Sequence, residues 1–326
     1  MTTLHKIENT IIKYNLIGNN ELVTVALSGG FDSVCLLHTL HKLGYNIKAA
    51  HLNHCLRDEA DDDMKYVKAL TDKMGIELFC KKIDVAKYAE ENKLSTETAG
   101  RFLRYEFFGE ITKKYGGVIA TAHNSNDNAE SFMMHLIRGS GLSGLTGIRP
   151  KTEIDGCTVI RPLIEVERDE IERYCAENNL SPRLDKTNVS TEYHRNEIRH
   201  IVMPPIIERD GLKAIRRACE VISAEEDFIC EYTDKLIKEK GVAQDNGTAY
   251  PLKWFNALPL AIKRRVIRRT MDMSWQHPVA LLHTDNVIAA CEKNYGGKKI
   301  QIPGKFTAEI KKGFVIIRKE AKDERC

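Results

Sequence analysis

The stretch Leu22-Val-Thr-Val-Ala-Leu27-Ser28-Gly29-Gly30-Phe31-Asp32-Ser33 decides the fold. Leu22–Leu27 is a short apolar run that reads as a buried strand, and Phe31–Leu43 reads as a helix. Two glycines between them let the backbone turn tightly and approach a phosphate, while the helix start offers unpaired N–H groups and a positive dipole end. Ser28 and Ser33 can add hydroxyl donors. Asp32 would repel a bare phosphate, so its presence points to a bridging Mg²⁺. No G-x-x-x-x-G-K-[ST] pattern occurs, which excludes the phosphate loop that relies on a lysine. A Ser/Gly-rich junction without a ligand would carry the same letters. Its place after a first strand, however, is where open α/β sheets bind ligands.

Working outward, strand-like and helix-like segments alternate through the first half. Ile47–Ala50 is strand-like and leads into His51, and Asp61–Met74 has helical spacing and stops at Gly75. Ile76–Ile83 follows as a strand, Thr96–Tyr115 as a helix closed by Gly116-Gly117, Val118–Ala122 as a strand and Asp127–Ile137 as a helix. The pattern predicts an α/β fold with a doubly wound, mostly parallel sheet. After Arg149 the alternation stops. A polar segment, Asp185–Arg199, leads to Pro204-Pro205, and helices are expected over Leu212–Lys240, Ala257–Met271 and Val279–Asn294. Ile300, Ile302, Phe306, Ala308 and Ile310 alternate before Gly313, as in a β-hairpin or small sheet. We expect a catalytic domain over 1–208 and a smaller α+β domain over 209–326. Gly139-Ser-Gly141-Leu-Ser-Gly144 matches G-x-G-x-x-G, but it follows a helix, the wrong context for a dinucleotide fingerprint.

At 326 residues, with 42% hydrophobic and 29% charged side chains, the chain has the composition of a soluble two-domain protein. No secretory leader pattern and no apolar run near the ~20 residues of a membrane span is found, so a cytoplasmic protein without membrane partners is expected. None of the nine cysteines forms a C-x-x-C pair, which disfavours a zinc ribbon or iron–sulfur site. A net charge of +3 permits nucleic-acid binding without demanding it.

Four further clusters fall where they could reach the same sheet edge. His51, Asn53, His54 and Arg57 follow the second strand, although loop His and Arg side chains are as often simply solvated. Arg101 and Arg104 lie close on one helix face with Glu97, a pattern that also suits an exposed salt-bridged surface. Thr121 through Ser131 runs from a strand into a helix, with Asp127 and Glu130 on one face, suited to a metal or an amine, and with Asn126 as the expected N-cap. Asp185, Thr187, Asn188, Tyr193, Arg195, Asn196 and Arg199 form the fourth. Lys263-Arg264-Arg265 and Arg268-Arg269 form a basic helix run, read either as a solvated face or as phosphate contacts.

In this combination and order, residues 20–205 resemble the tRNA(Ile)-lysidine synthetase family of pyrophosphate-loop enzymes. The resemblance implies an adenine nucleotide α-hydrolase-like fold, a tRNA-binding second domain, and ATP and Mg²⁺ as cofactors. It places Ser28, Gly29, Gly30, Phe31, Asp32 and Ser33 on the pyrophosphate end of ATP, with Asp32 on the metal. His51, Asn53 and Arg57 would lie by the nucleotide. Asp127 and Glu130 would hold the lysine amine, with His123 and Arg101 beside them in the catalytic set. Arg104, Arg138, Asn188, Arg195, Asn196 and Arg199 are the candidates for tRNA contact. The implied partners are L-lysine and an isoleucine tRNA with a CAU anticodon; the oligomeric state stays open, a homodimer included. The third cluster departs from the family's commonest form, with Asn124 for a histidine, Asn126 for an aspartate, Asn128 for a glutamine and Ser131 for a threonine. Two rival readings follow: a related tRNA thiolase, disfavoured by the missing C-x-x-C pair, and a catalytically silent ATP- or RNA-binding relative.

Overall fold

The computed structural model describes residues 2–56, 60–183, 193–271, 280–293 and 296–320. They fall into two units, Met1–Ile222 and Ser223–Cys326. The division lies inside the long helix Gly211–Lys240, whereas the expected boundary at 208/209 precedes that helix.

The first unit runs α1 (Thr3–Lys13), β1 (Val23–Ala26), α2 (Phe31–Lys42), β2 (Ile47–Asn53), α3 (Ala60–Met74), β3 (Leu78–Lys82), α4 (Val85–Asn92), α5 (Thr96–Tyr115), β4 (Val118–Ala120), α6 (Ser125–Ile137), α7 (Leu142–Leu145), β5 (Lys151–Ile154), β6 (Cys157–Ile160) and α8 (Arg168–Glu177). After them come α9 (Tyr193–Glu197), a π-helical turn (Ile198–Val202), α10 (Met203–Ile207) and α11 (Gly211–Lys240), which continues into the second unit. The sheet order is β3-β2-β1-β4-β6-β5, parallel throughout except for β5, which pairs antiparallel with β6. The sequence therefore runs outward in one direction from β1 to β3 and in the other from β4 to β6. Between β1 and β4 lies the switch point, where open sheets form a crevice at the strands' carboxyl ends.

Helices cover both faces, so the central strand is apolar apart from Thr24. Val23, Thr24 and Val25 are fully buried, which explains the unbroken run at Leu22–Leu27. At Gly117, with φ of +81°, a Cβ would lie 2.1 Å from the Leu22 carbonyl oxygen, so the turn into β4 admits only glycine. The doubly wound sheet matches expectation, but it continues beyond Arg149 through β6 and α8, and α4 was not foreseen.

The rest of the chain forms β7 (Val242–Gln244), β8 (Gly247–Pro251), α12 (Leu252–Ala257), α13 (Leu260–Thr270), α14 (Leu281–Glu292), β9 (Lys299–Ile302), β10 (Phe306–Lys311) and β11 (Phe314–Lys319). Its antiparallel sheet, ordered β7-β8-β11-β10-β9, contains the hairpin or small sheet expected near the end and adds β7 and β8 from before α12. Pro259 is the N-cap of α13, so the helix expected over Ala257–Met271 begins at Leu260, and α12 ahead of it was not foreseen. Val266 and Ile267 face the core, as their spacing predicts. The basic run of α13 is neither simply outward nor free. Lys263, itself buried, pairs with Glu292 at 2.8 Å, Arg264 makes a two-pronged pair with Asp285, and Arg265 and Arg269 bind Glu226 and Asp234. These four side chains brace the unit with carboxylates of α11 and α14. Among the described residues no helix is long and apolar enough to cross a membrane.

Candidate active site

The loop between β1 and α2 folds back on itself around Ser33. Its hydroxyl oxygen accepts from the N–H groups of Ser28 (3.2 Å) and Gly29 (3.1 Å) and donates to the Gly30 carbonyl at 3.1 Å. Gly29 has φ of +95°, and a Cβ there would press on Val67 at 3.3 Å. Its carbonyl accepts from the Arg183 N–H at 3.0 Å, and the Arg183 guanidinium reaches Asp63 at 3.0 Å. Gly30 is the N-cap of α2 and no side chain caps that helix. Its first N–H groups and its positive end are therefore left for an anion.

Asp32, in the first turn of α2, is joined to α6 through Asn124. The Asn124 side-chain N–H donates to Asp32 Oδ1 at 2.9 Å, and its carbonyl oxygen accepts from the Asp127 N–H at 3.0 Å. The Asp127 carboxylate returns a bond from the Asn124 N–H at 3.1 Å, completing a capping box. Burial, and then the charge of Asp127, push the Asp32 carboxyl above its ordinary range, against the pull of Asn124, Arg168 and Arg199.

Three residues on, Glu130 is 2% exposed and accepts from Arg199 at 2.7 and 2.9 Å and from Arg195 at 3.2 Å. Arg168, Arg195 and Arg199 also stand 3.6, 3.8 and 3.6 Å from Asp127. Arg195 and Arg199, two of the four arginines expected on the tRNA, thus meet both carboxylates expected on the amine. The bonds to Glu130 raise the Arg199 pKa further, so its charge is permanent.

A second cationic group surrounds His123, whose Nδ1 lies 3.0 Å from the Thr121 hydroxyl. Burial, with the charges of Arg161, Arg195, Arg104 and Arg101, pushes its imidazole down to about 3, so the ring is neutral near pH 7. Arg101 stacks over Tyr105 at 5.0 Å, and Arg104 is exposed. Arg161, at the end of β6, is buried and donates to the Arg149 carbonyl at 2.7 Å and the Thr152 hydroxyl at 3.1 Å. Sequence reasoning passed over it. Its signal was an arginine closing the apolar run Cys157–Ile160.

His51 and Asn53 are part of β2 itself rather than of a loop after it. His51 faces the Leu27 carbonyl through Nδ1 at 2.8 Å, and Asn53 holds Asp61 at 2.9 Å. Burial and the charge of Arg104 push His54 down to about 4. Arg138 caps the far end of α6, about 16 Å along the helix from Asp127 at 1.5 Å per residue, so it stands apart from the cluster. Asn196 lies on α9 between the two arginines. Arg57 and Asn188 lie outside the described residues.

The three asparagines that depart from the family's usual pattern all have work. Asn124, not Asn126 as expected, caps α6, because the helix begins at Ser125. Asn126 accepts from the Arg168 N–H at 2.9 Å and so fastens the start of α8. Asn128 accepts from the Ile148 N–H at 2.7 Å and ties down the glycine-rich segment after α6.

Among the described residues no group of three or more His, Cys, Asp or Glu side chains could cage a metal. The donor set suits Mg²⁺ nonetheless. That ion keeps several waters and takes one or two carboxylates plus phosphate oxygens, and Asp32 and Asp127 are two carboxylates near enough for the charge of one to act on the other, in the first turns of α2 and α6.

Residues 3–206 match the family profile described as the PP-loop domain. The chain is 40% identical to the tRNA(Ile)-lysidine synthase of Clostridium acetobutylicum, over 99% of this chain and 71% of that protein. To the tRNA(Ile)-lysidine synthase of Clostridioides difficile it is 39% identical, over 97% and 70% respectively. Among solved structures, the U34-tRNA thiolase NcsA from Methanococcus maripaludis superposes with a TM-score of 0.58 at 21% identity, covering 68% of this chain and 78% of that one, which is a likeness of fold. With that profile over the first unit and those relatives along nearly its whole length, the chain belongs to the tRNA(Ile)-lysidine synthase family of PP-loop proteins.

Proposed function

We propose that this protein joins L-lysine to C2 of the wobble cytidine in a CAU-anticodon isoleucine tRNA, forming lysidine while ATP becomes AMP and pyrophosphate. The observation that carries the reading is the 2.9 Å bond from Asn124 to Asp32, which joins the phosphate loop to the helix bearing Asp127 and Glu130. A nucleotide end and an amine end therefore share one crevice.

In the first step the cytidine O2 attacks the α-phosphorus and pyrophosphate leaves. A carbonyl oxygen is a poor leaving group, and adenylation turns it into a good one. The uncapped start of α2 and the loop N–H groups receive the departing charge, and Arg101 and Arg104 add cationic donors. Mg²⁺, held by Asp32, would neutralise charge on the phosphates. In the second step the lysine amine attacks C2, the C2–O bond breaks and AMP departs. Glu130 has about four acceptor positions, of which arginines take three, leaving about one for an amine N–H. Asp127 supplies a second carboxylate at the same helix end. Neutral His123 can relay a proton, one ring nitrogen releasing its own as the other accepts, so that the ring gains no charge. Arg195, Arg199 and the exposed Arg104 are suited to tRNA phosphates, which set affinity and salt dependence.

Incorporation of labelled lysine into unmodified CAU-anticodon isoleucine tRNA, with ATP and Mg²⁺, tests this directly. Label in that tRNA, and none in a CAU-anticodon methionine tRNA, is the expected result. No label in either tRNA, with ATP still bound, would overturn the ligase reading.

A further inference from the structure

We infer that Asn124 is a positioning residue for the metal–pyrophosphate end of the site, aiming the Asp32 carboxylate while it caps α6. Asn124 is fully buried, and both atoms of its amide are in use. The orientation is fixed by chemistry. The atom facing the Asp127 N–H must be an acceptor, so the atom facing Asp32 must be the donor. The bond to Asp32 spans 92 residues and crosses from the end of β1 to the end of β4, across the switch point.

That amide answers a specific problem. Asp32 is half-buried near the Asp127 charge, and the Asn124 amide is a neutral donor that fixes one of its oxygens and leaves the other for a cation or a water. A side-chain amide has no charge to compete with a metal ion. The same residue sets the start of α6, so aiming Asp32 and placing Asp127 become one geometric event.

This inference rests on the nucleotide part of the proposed function and on nothing about the tRNA. Its test separates capping from aiming. Asn124→Ser and Asn124→Thr keep a good N-cap but are too short to bridge to Asp32, whereas Asn124→Ala removes both functions. Binding of α,β-methylene-ATP is measured calorimetrically with Mg²⁺ and with EDTA, alongside thermal melting. The Ser and Thr variants are expected to melt near the parent protein and to bind the nucleotide normally in EDTA. With Mg²⁺ they are expected to bind about tenfold more weakly, the loss of one charge-assisted hydrogen bond. Parental Mg²⁺-dependent binding in both, with only the Ala variant impaired, would reduce Asn124 to a cap and overturn the inference. Lysine incorporation by the parent protein is run in parallel. Its failure would count against the ligase, while the Mg²⁺ difference would still decide the role of Asn124.

Discussion

Replacing Glu130 by glutamine should damage stability and lysine transfer together while sparing the nucleotide. The carboxylate is 2% exposed and accepts three N–H bonds from two guanidinium groups. Removing one partner of a buried ion pair costs about 3–5 kcal/mol. Glutamine keeps one acceptor oxygen and the volume, and Asp127 remains within 3.8 Å of both arginines. The expected cost is therefore about 2–3 kcal/mol at pH 7. For a unit of this size, 1 kcal/mol shifts Tm by about 2–4 °C, so the variant should melt roughly 4–12 °C lower. Calorimetric melting, α,β-methylene-ATP binding and lysine incorporation would be measured on one preparation. Nucleotide affinity should hold within about twofold, and lysine transfer should fall at least about tenfold, since a charged acceptor has been lost. A variant that melts like the parent and transfers lysine at the parental rate would refute both the ion-pair and the amine roles.

Three further outcomes are expected. Asp32→Asn should raise the Tm of the ligand-free protein at pH 7 while abolishing turnover. A carboxyl whose folded pKa is raised costs stability once it ionises, so the gain should be absent below the ordinary value of 3.8 and grow as pH rises above it; a Tm difference that persisted unchanged in acid would contradict this. Lys263→Met should leave tRNA affinity and its salt dependence unaltered, because that side chain is paired with Glu292 inside the unit; a fall of about one in the slope of log K against log salt would show a lost phosphate contact instead. Gly117→Ala, which drives a Cβ to 2.1 Å from a backbone oxygen at positive φ, should cost at least about 2 kcal/mol in a denaturant melt, and a parental midpoint would argue against the packing described.

Local patterns made much of this legible. The run Leu22–Leu27 with its Ser/Gly turn fixed the first strand and loop, and the helical spacing over Thr96–Tyr115 matched α5 residue for residue. The short Cys157–Ile160 strand carried too few residues to announce itself between Gly156 and Arg161-Pro162, so the sheet's continuation went unseen. What failed more generally was pairing at a distance. Glu130 meets its arginines 65 and 69 residues away, and nothing in either local segment says so. The same holds for α13, whose basic run reads identically whether its carboxylates lie in solvent, in RNA phosphates, or, as here, 21 to 39 residues off in the same unit. The three asparagines show the converse: letters that departed from an expected motif acquire meaning from the N–H groups they face.

The self-closed loop around Ser33 bears on how quickly and how sharply this protein can tell a filled site from an empty one. Because Ser33 satisfies the Ser28 and Gly29 N–H groups, the loop carries no unmet donors at those two residues and has little disorder to surrender on binding. On the proposed function, an arriving pyrophosphate would exchange one acceptor for another. At Ser28 and Gly29 the net gain per hydrogen bond is then modest, and selectivity falls to the uncapped N–H groups of α2, to charge and to shape. On the proposed function, such a loop would favour release of pyrophosphate over tight retention, as suits a leaving group.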